Sequence, residues 1–289
     1  MKLPRFDYAR PASLPEAVAL LQEHDGAKIL AGGQSLLPVM AFRLAAPPLL
    51  VDIGGLDELT GIAIGPTGIR LGARVRWRDI EEHAGLADSH PLLVAMVAEI
   101  AHYQIRTRGT VGGSLAHADP AAEMPAFAVA CDGDIVLTGP AGTRIVAARD
   151  FFTGALETVL QPDEIIVELR VPPWPRERRW GFEEFSRRRG DFALAGAAAF
   201  YDTAEGCAEN AHLGVFGVEG TPRRLAVAEA LLNGRIVTAE TIEATAAAAA
   251  RAVEPIGDLH AEAAYRRALV STLAERALRR AAGLGAVPA

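Results

Sequence analysis

Two Gly-Gly pairs constrain this chain more than any other feature of its sequence. The first lies in AGGQS, residues 31–35, and the second lies in TVGGS, residues 110–114. Glycine adopts positive φ without strain, and successive backbone N–H groups that point into one concavity bind anions. A single pair most simply ends a strand. Two pairs, each beside hydroxyl side chains, predict two nests that clamp the pyrophosphate of one dinucleotide.

The best-known phosphate-binding motifs are absent from both segments. Neither reads G-x-G-x-x-G, so a Rossmann fingerprint is missing, and neither contains G-K-S or G-K-T, so a P-loop is missing too. The spacing therefore predicts a dinucleotide on another scaffold and leaves the identity of that dinucleotide open. A helix is expected soon after the second segment, with Asp119 as its N-cap and Pro120 in its first turn.

Charge and composition narrow the classes of partner. The 289 residues carry a formal net charge of −7, which argues against nucleic acid because phosphate binding needs a clustered positive field. Two cysteines are too few for a disulfide scaffold or for an iron–sulfur cluster held by this chain alone. The histidines form no metal-binding pattern, so no metal is expected. No apolar leader or membrane-spanning segment is visible, which predicts a soluble cytoplasmic protein.

Helix and strand patterns predict an α+β chain of two domains. The proline-rich segment 171–181 marks the expected boundary, with a domain 1–176 before it and a domain 177–289 after it. The first domain is expected to divide into subdomains of about 1–57 and 58–176. Its predicted elements are a helix after Ser13, a strand ending in the first Gly-Gly pair, a strand in 48–55, a hairpin across GPTG, two helices in 76–103 and three strands in 134–172.

The second domain is predicted to begin with an antiparallel sheet and to end in helices. Its first hairpin is expected to turn at Arg189–Gly190, and a further strand follows in CAENAHLGVFGVEG. Three helices come next, the first of them capped by Thr221 with Pro222 at its first position.

Four stretches of the chain resemble one known family. They are ILAGGQSLLPVMAFRLAAPPLLVDIGGLDEL, QIRTRGTVGGSLAHADPAAEMPA, EFSRRRGDFALAGAAA and LHAEAAYRRALVSTLAERAL. Together they are similar to the FAD-binding medium subunit of molybdenum hydroxylases, the flavoprotein component of the xanthine dehydrogenase and aerobic carbon monoxide dehydrogenase family. The resemblance covers nearly the whole chain. It implies a two-part FAD-binding domain of the PCMH/vanillyl-alcohol-oxidase type, followed by a smaller domain of antiparallel sheet plus helices.

The resemblance also implies which residues hold the FAD. Ala31–Ser35 and Thr110–Ser114 would bind the pyrophosphate, and Glu123 would accept hydrogen bonds from the sugar hydroxyls, although a charge at a helix start explains it equally well. The full implied set is Leu30, Ala31, Gly32, Gly33, Gln34, Ser35, Leu36, Thr110, Val111, Gly112, Gly113, Ser114, Asp119, Glu123, Ile166, Val167 and Phe192.

Several of these residues have a structural alternative. N-capping already accounts for Asp119, and a strand core accounts for Ile166 and Val167. Phe192 either stacks near the isoalloxazine ring or fills a core. Relatives often carry a lysine where this chain reads GFEEFS, so the charge around the flavin stays open. Arginines at 176, 178, 179 and 187–189 form either a solvated face or a contact with a partner subunit.

By resemblance, the chain is the electron-transfer subunit of an oxidoreductase complex. A large molybdopterin subunit and a small subunit with 2Fe–2S clusters are the expected partners, in a dimer of heterotrimers. FAD would be the only cofactor of this chain, and NAD, a quinone or oxygen would be the final acceptor. No catalytic residue is assigned. The alternatives are a stand-alone PCMH-type flavin oxidase that acts on a small organic substrate, and an assembly subunit that has lost its flavin.

Overall fold

The N-terminal part is a small parallel sheet with one helix packed on it. The structure, a computed structural model, describes residues 2–284. The first elements are β1 (Asp7–Ala9), α1 (Leu14–Glu23), β2 (Lys28–Leu30), α2 (Leu36–Ala41) and β3 (Leu49–Asp52). The strands are ordered β1–β3–β2, and all are parallel. As predicted, Ser13 caps α1 and accepts a hydrogen bond from the N–H of Glu16 at 3.4 Å.

The middle part consists of two hairpins, a run of short helices and one long strand. Its elements are β4 (Ile62–Gly65), β5 (Gly68–Gly72), α3 (Trp77–Glu82), α4 (Leu86–Ser89), α5 (Pro91–Glu99), α6 (Tyr103–Arg106), α7 (Val111–His117), α8 (Glu123–Ala130), β6 (Asp134–Gly139), β7 (Gly142–Ala147), α9 (Ala148–Phe151), β8 (Phe152–Gly154), β9 (Glu157–Thr158) and β10 (Ile165–Val171). Five strands form an antiparallel sheet in the order β4–β5–β10–β6–β7. The central strand β10 therefore joins two hairpins that are distant in sequence.

The C-terminal part is a second antiparallel sheet covered by helices. Its elements are β11 (Arg179–Phe185), β12 (Ala195–Ala204), β13 (Cys207–Phe216), β14 (Arg223–Arg224), α10 (Ala226–Glu229), α11 (Ala239–Ala252) and α12 (Ala263–Ala282). The strands are ordered β11–β12–β13–β14. A Cβ on Gly181 would overlap the carbonyl oxygen of Ala277, so only glycine lets α12 lie this close to the sheet.

Three apolar cores connect these parts. One face of the C-terminal sheet, with Phe182 and Phe200, shares a core with Phe127 of α8, whereas the other face packs under α11 and α12. On the N-terminal side, Ile165 of β10 enters the core of the parallel sheet.

The predicted fold class, an α+β chain with a sheet-plus-helix domain at its C-terminus, is confirmed. No helix within residues 2–284 is long and apolar enough to cross a membrane.

Two predicted helical segments are wrong in detail. The segment after Thr221 begins as a strand, because Arg223 and Arg224 pair with Val215 and Gly214 at the sheet edge. The helices in 76–103 number three rather than two, because residues 83–85 interrupt them before the predicted break at Ser89–Pro91. Tertiary pairing and a local glycine outweigh helix propensity at these places.

The segment between the two antiparallel sheets has no regular structure. β10 ends at Val171 and β11 begins at Arg179, and residues 172–178 form neither helix nor strand. We propose the domain boundary at residue 176 within this segment. We also propose the subdomain boundary near residue 57, between the parallel sheet and β4.

His90 is a buried histidine with no hydrogen-bond partner. It is 1% exposed, and its ring centroid lies 5.0 Å from that of Phe127 and 4.5 Å from that of Trp174. Neither ring nitrogen has a partner among the described residues. Burial lowers the pKa of His90 from 6.5 to about 3, and the charge of Arg178 acts in the same direction. The native state therefore excludes a proton that the unfolded state binds between these pH values.

Replacing His90 with leucine is expected to remove a specific acid sensitivity. Below pH 6.5 this histidine costs the native state about 1.4 kcal/mol of stability for each pH unit. Between pH 6.5 and about 5, His90→Leu should therefore lose about 2 kcal/mol less unfolding free energy than wild type, measured by urea denaturation. His24→Leu, at an exposed histidine, should follow wild type. Parallel pH profiles for wild type and His90→Leu would contradict the prediction.

Candidate functional site

The first glycine segment, Ala31–Ser35, links β2 to α2 and leaves its backbone donors free. Gly33 has a φ of +73°, a left-handed conformation that favours glycine. Among the described residues, no acceptor takes the N–H groups of Gly32, Gly33, Gln34 or Ser35. The Ser35 hydroxyl also makes no capping hydrogen bond to α2. Four consecutive N–H groups and one hydroxyl are thus available to an anion.

The second glycine segment, Thr110–Ser114, is the first turn of α7 rather than a loop. Thr110 is the N-cap, and its Oγ1 accepts a hydrogen bond from Gly113 N at 3.2 Å. Val111 N donates to Val75 O, and Gly112 N donates to Ala73 O at 2.8 Å. The prediction of a second nest with free N–H groups is therefore wrong, because helix capping and neighbouring carbonyls occupy them. The half-buried Ser114 follows these residues in α7.

The two glycine segments meet each other. A Cβ on Gly32 would overlap the carbonyl oxygen of Arg108, two residues before the second segment. A Cβ on Gly112 would lie 2.6 Å from the Cβ of Ala73. The backbone N–H of Ala73 in turn donates a hydrogen bond to Val167 O at 2.9 Å. Glycine is thus required for close backbone approach at residues 32 and 112. That the two segments bind one pyrophosphate stays a prediction.

The apolar residues of the predicted site lie beside this junction. Leu30 Cδ1 is 3.3 Å from the Cβ position of Gly33, and Leu37 Cδ1, on the helix side, is 3.1 Å from it. The predicted role of Leu36 in lining the FAD pocket stays a prediction. Val167 is half-buried and packs in the core that includes Ala31. Ile166 is buried in the adjacent core. Ile166 therefore has the strand-core role, and Val167 is the β10 residue that borders the first glycine segment.

Asp119 does not cap a helix. Its Oδ1 accepts a hydrogen bond from Ala121 N at 2.9 Å, and α8 begins only at Glu123 with Ala122 as its N-cap. The sequence N-cap prediction is wrong because Asp119 closes a turn instead. Asp119 is half-buried, and together with Pro120 and Ala121 it lines the edge of a cleft.

Glu123 starts α8 and is 8% exposed. Among the described residues, its carboxylate accepts a hydrogen bond only from its own backbone N–H. Burial raises the pKa of Glu123 to about 7; the charges of Asp119 and Glu99 act in the same direction, and the backbone hydrogen bond opposes them. A buried carboxylate that no other residue uses can accept hydrogen bonds from ligand hydroxyls, which suits the predicted role.

A cleft of about 440 Å³ separates the first domain from the second. Asp119 lines one wall, and Phe192, from the connection between β11 and β12, lines the other. Phe192 is 70% exposed, so it is not a core phenylalanine. Asp119 and Phe192, two predicted site residues that are far apart in sequence, thus line the same cleft. Among residues 2–284 there is no group of acidic, histidine or cysteine side chains that could hold a metal ion.

Arg266 is a cleft residue that the sequence patterns did not reveal. It is 5% exposed, and its guanidinium donates to the carbonyls of Leu194 and Gly217 and to Asp258. These bonds hold the Phe192–Leu194 wall against α12. In sequence, Arg266 looks like any arginine of an amphipathic helix, because its acceptors come from distant strands and loops.

Comparison with known proteins identifies the class. Residues 4–174 match the FAD binding domain in molybdopterin dehydrogenase, and residues 180–281 match the CO dehydrogenase flavoprotein C-terminal domain. The chain therefore belongs to the FAD-binding medium subunits of the molybdenum hydroxylases. It is an oxidoreductase flavoprotein subunit, and its cofactor is FAD.

The similarity extends over the full length of several relatives. The chain is 40% identical to the nicotine 6-hydroxylase medium subunit of Paenarthrobacter nicotinovorans, over 96% of this chain and 98% of that one. It is 38% identical to the carbon monoxide dehydrogenase medium chain of Hydrogenophaga pseudoflava, over 95% and 96%. The solved structure of carbon monoxide dehydrogenase from the latter organism superposes with a TM-score of 0.95 at 39% identity, covering 98% of this chain and 99% of that one.

Proposed function

We propose that this chain carries electrons from the 2Fe–2S clusters of a small partner subunit to an external acceptor such as NAD, a quinone or oxygen. The electrons originate at a large molybdopterin subunit, and the three chains assemble as a dimer of heterotrimers in the cytoplasm. Relatives named as medium subunits or medium chains support a multi-subunit complex.

The observation that carries the proposal is the row of free donors in the first glycine segment. The N–H groups of Gly32 to Ser35 would donate to the FAD pyrophosphate, and the first turn of α7, with Ser114, would approach from the other side. A pyrophosphate fits here because these donors lack other acceptors among the described residues. Charge-assisted hydrogen bonds of this kind are the strong ones.

The other residues would orient the cofactor. Glu123 would accept hydrogen bonds from the sugar hydroxyls, while Leu30, Ala31 and Val167 would form an apolar border. Asp119 and Phe192 would flank the isoalloxazine end in the cleft between the domains. When bound, FAD supplies the redox chemistry, since it exchanges electrons singly and in pairs. The exposed Phe192 ring would cover that end and limit contact with water.

Purification of the tagged chain with its co-purifying subunits tests this function. Acid-released flavin should be FAD, at one per chain, and the partners should contain 2Fe–2S clusters by electron paramagnetic resonance. Reduction of the complex with dithionite, followed by addition of NAD, a soluble quinone or air, identifies the acceptor by flavin reoxidation. FMN, or no flavin in the folded complex, would overturn the proposal. Flavin bleaching by an organic substrate in the chain without partners would favour the oxidase alternative.

A further inference from the structure

Three carboxylates from separate elements come together where the two domains pack. Glu99 lies at the end of α5, Glu123 at the start of α8, and Glu184 near the end of β11. Helix α5 packs against both α8 and β11. The charges of Glu123 and Glu99 both raise the pKa of Glu184, so the three carboxylates lie within electrostatic reach of one another. Such like charges repel each other strongly in a poorly solvated site.

Glu184 points into this interface. Along β11 its side chain lies on the same face as Phe182, which belongs to the core shared with α8. The neighbouring Glu183 faces the opposite way and pairs with Arg280 of α12 at 2.6 Å. Gly196 of β12 lies directly opposite Glu184 in the strand pair and has no side chain that could donate a hydrogen bond. No cation therefore reaches Glu184 from β12, and the arginine of α12 is engaged elsewhere.

One oxygen of Glu184 is buried and has no donor. Oε2 is inaccessible to solvent and has no hydrogen-bond partner among residues 2–284. The Glu123 side chain is more than nine-tenths buried, and among the described residues its carboxylate accepts a hydrogen bond only from its own backbone N–H. An ionised carboxylate left without a donor in such a place is costly. A proton on one of the two groups turns an acceptor into a donor and satisfies both.

We propose that Glu184 is held as the neutral acid and donates a hydrogen bond to the Glu123 carboxylate, so that it positions Glu123 for the FAD sugar hydroxyls. This inference rests on the proposed role of Glu123 in binding FAD. Glu184 is thus a positioning residue that acts through Glu123. It lets one negative charge, rather than two, stand at the interface between the domains.

The electrostatics of the cluster agree with this arrangement. Burial, together with the charges of Glu123 and Glu99, raises the pKa of Glu184 from 4.5 to about 9. The groups that face the pair are Glu99 from α5 and Asp119 from the turn before α8, and both are acidic. Since the folded pKa lies above the ordinary value of 4.5, the stability that the shared proton maintains is present at low pH and is lost as the pH rises towards about 9.

Glu184→Gln is the decisive variant, because an amide has the shape of a protonated carboxyl but cannot ionise. In the wild-type complex, the dissociation constant of FAD should rise about tenfold for each pH unit above about 9. In Glu184→Gln it should change less than about twofold over the same range. Glu183→Gln, on the opposite face of the same strand, is the matched control and should follow wild type. Equal pH profiles for wild type and Glu184→Gln would overturn the proposal.

Infrared spectroscopy of the full chain reports the proton independently of FAD. At pH 8, which lies above the pKa of Glu123 and below that of Glu184, the carbonyl stretch of a buried, protonated carboxyl should be present in wild type and in Glu183→Gln, and absent in Glu184→Gln. If this band is present but the protein binds no FAD at any pH, the proposed role of Glu123 in FAD binding is wrong and the proposed protonation of Glu184 is supported. If the protein binds FAD but wild type lacks the band, the proposed protonation of Glu184 is wrong and the proposed FAD site is supported.

Discussion

Gly32→Ala is expected to strip FAD from the protein, with a dissociation constant at least about 100-fold above that of wild type. A methyl group at residue 32 would overlap the carbonyl oxygen of Arg108, which is a backbone atom and cannot rotate away. The first glycine segment must then move off the second. Displaced N–H groups lose their hydrogen bonds to phosphate, each of which contributes about 1.5–3 kcal/mol. Two lost bonds already account for the 100-fold effect.

Two measurements check this expectation on the purified complex. Acid-released FAD per chain gives occupancy, and quenching of FAD fluorescence on titration into the deflavinated complex gives the dissociation constant. Gly65→Ala is the control, because nothing lies within 4 Å of the Cβ position there. It should keep its FAD. Full occupancy and unchanged affinity in Gly32→Ala would show that the pyrophosphate does not lie where the two segments meet.

Arg266→Met should lower the free energy of unfolding by about 3–5 kcal/mol. Methionine preserves much of the buried volume but removes every donor from the carbonyls of Leu194 and Gly217 and from Asp258. Two carbonyl oxygens then stay buried without their guanidinium partner, which carries the full desolvation cost. Because these bonds also hold the wall that carries Phe192, proteolytic cleavage within 186–194 should become faster.

The adjacent Arg267 provides a matched comparison. It is exposed and makes one hydrogen bond, to Ala250 O at 2.9 Å. Arg267→Met should change the unfolding free energy by less than about 1 kcal/mol in urea denaturation. Equal stabilities of the two variants would mean that the buried hydrogen bonds of Arg266 contribute little. In that case another contact must hold the cleft wall.

Features governed by local chemistry could be predicted from the sequence. Short-range turn and capping rules predict the Ser13 cap of α1, the strand before the first glycine segment and the GPTG hairpin. The fold class followed from the helix and strand patterns, and the family followed from the four quoted stretches. The first glycine segment indeed leaves its N–H groups free, because no helix or strand uses them.

Features that depend on distant residues could not be predicted. Two glycines cost a helix about 1 kcal/mol each, so propensity favours a loop at residues 112–113. The structure places both glycines in α7. Gly112 is needed there because Ala73 approaches so closely that no side chain fits at residue 112. The meeting of Asp119 with Phe192 and the burial of Glu184 arise from the packing of one domain on the other. No periodicity within a single segment encodes such contacts.

The central position of β10 has a consequence for biosynthesis. Val171 pairs with Ile69, and Val167 accepts the N–H of Ala73, so the last strand of the first domain completes a site whose other parts leave the ribosome much earlier. Pairings so far apart in sequence form slowly. The nascent chain therefore carries both glycine segments unaligned until residue 171 has emerged, and cofactor loading must follow that moment. Apolar hairpins exposed during this interval are natural substrates for chaperones.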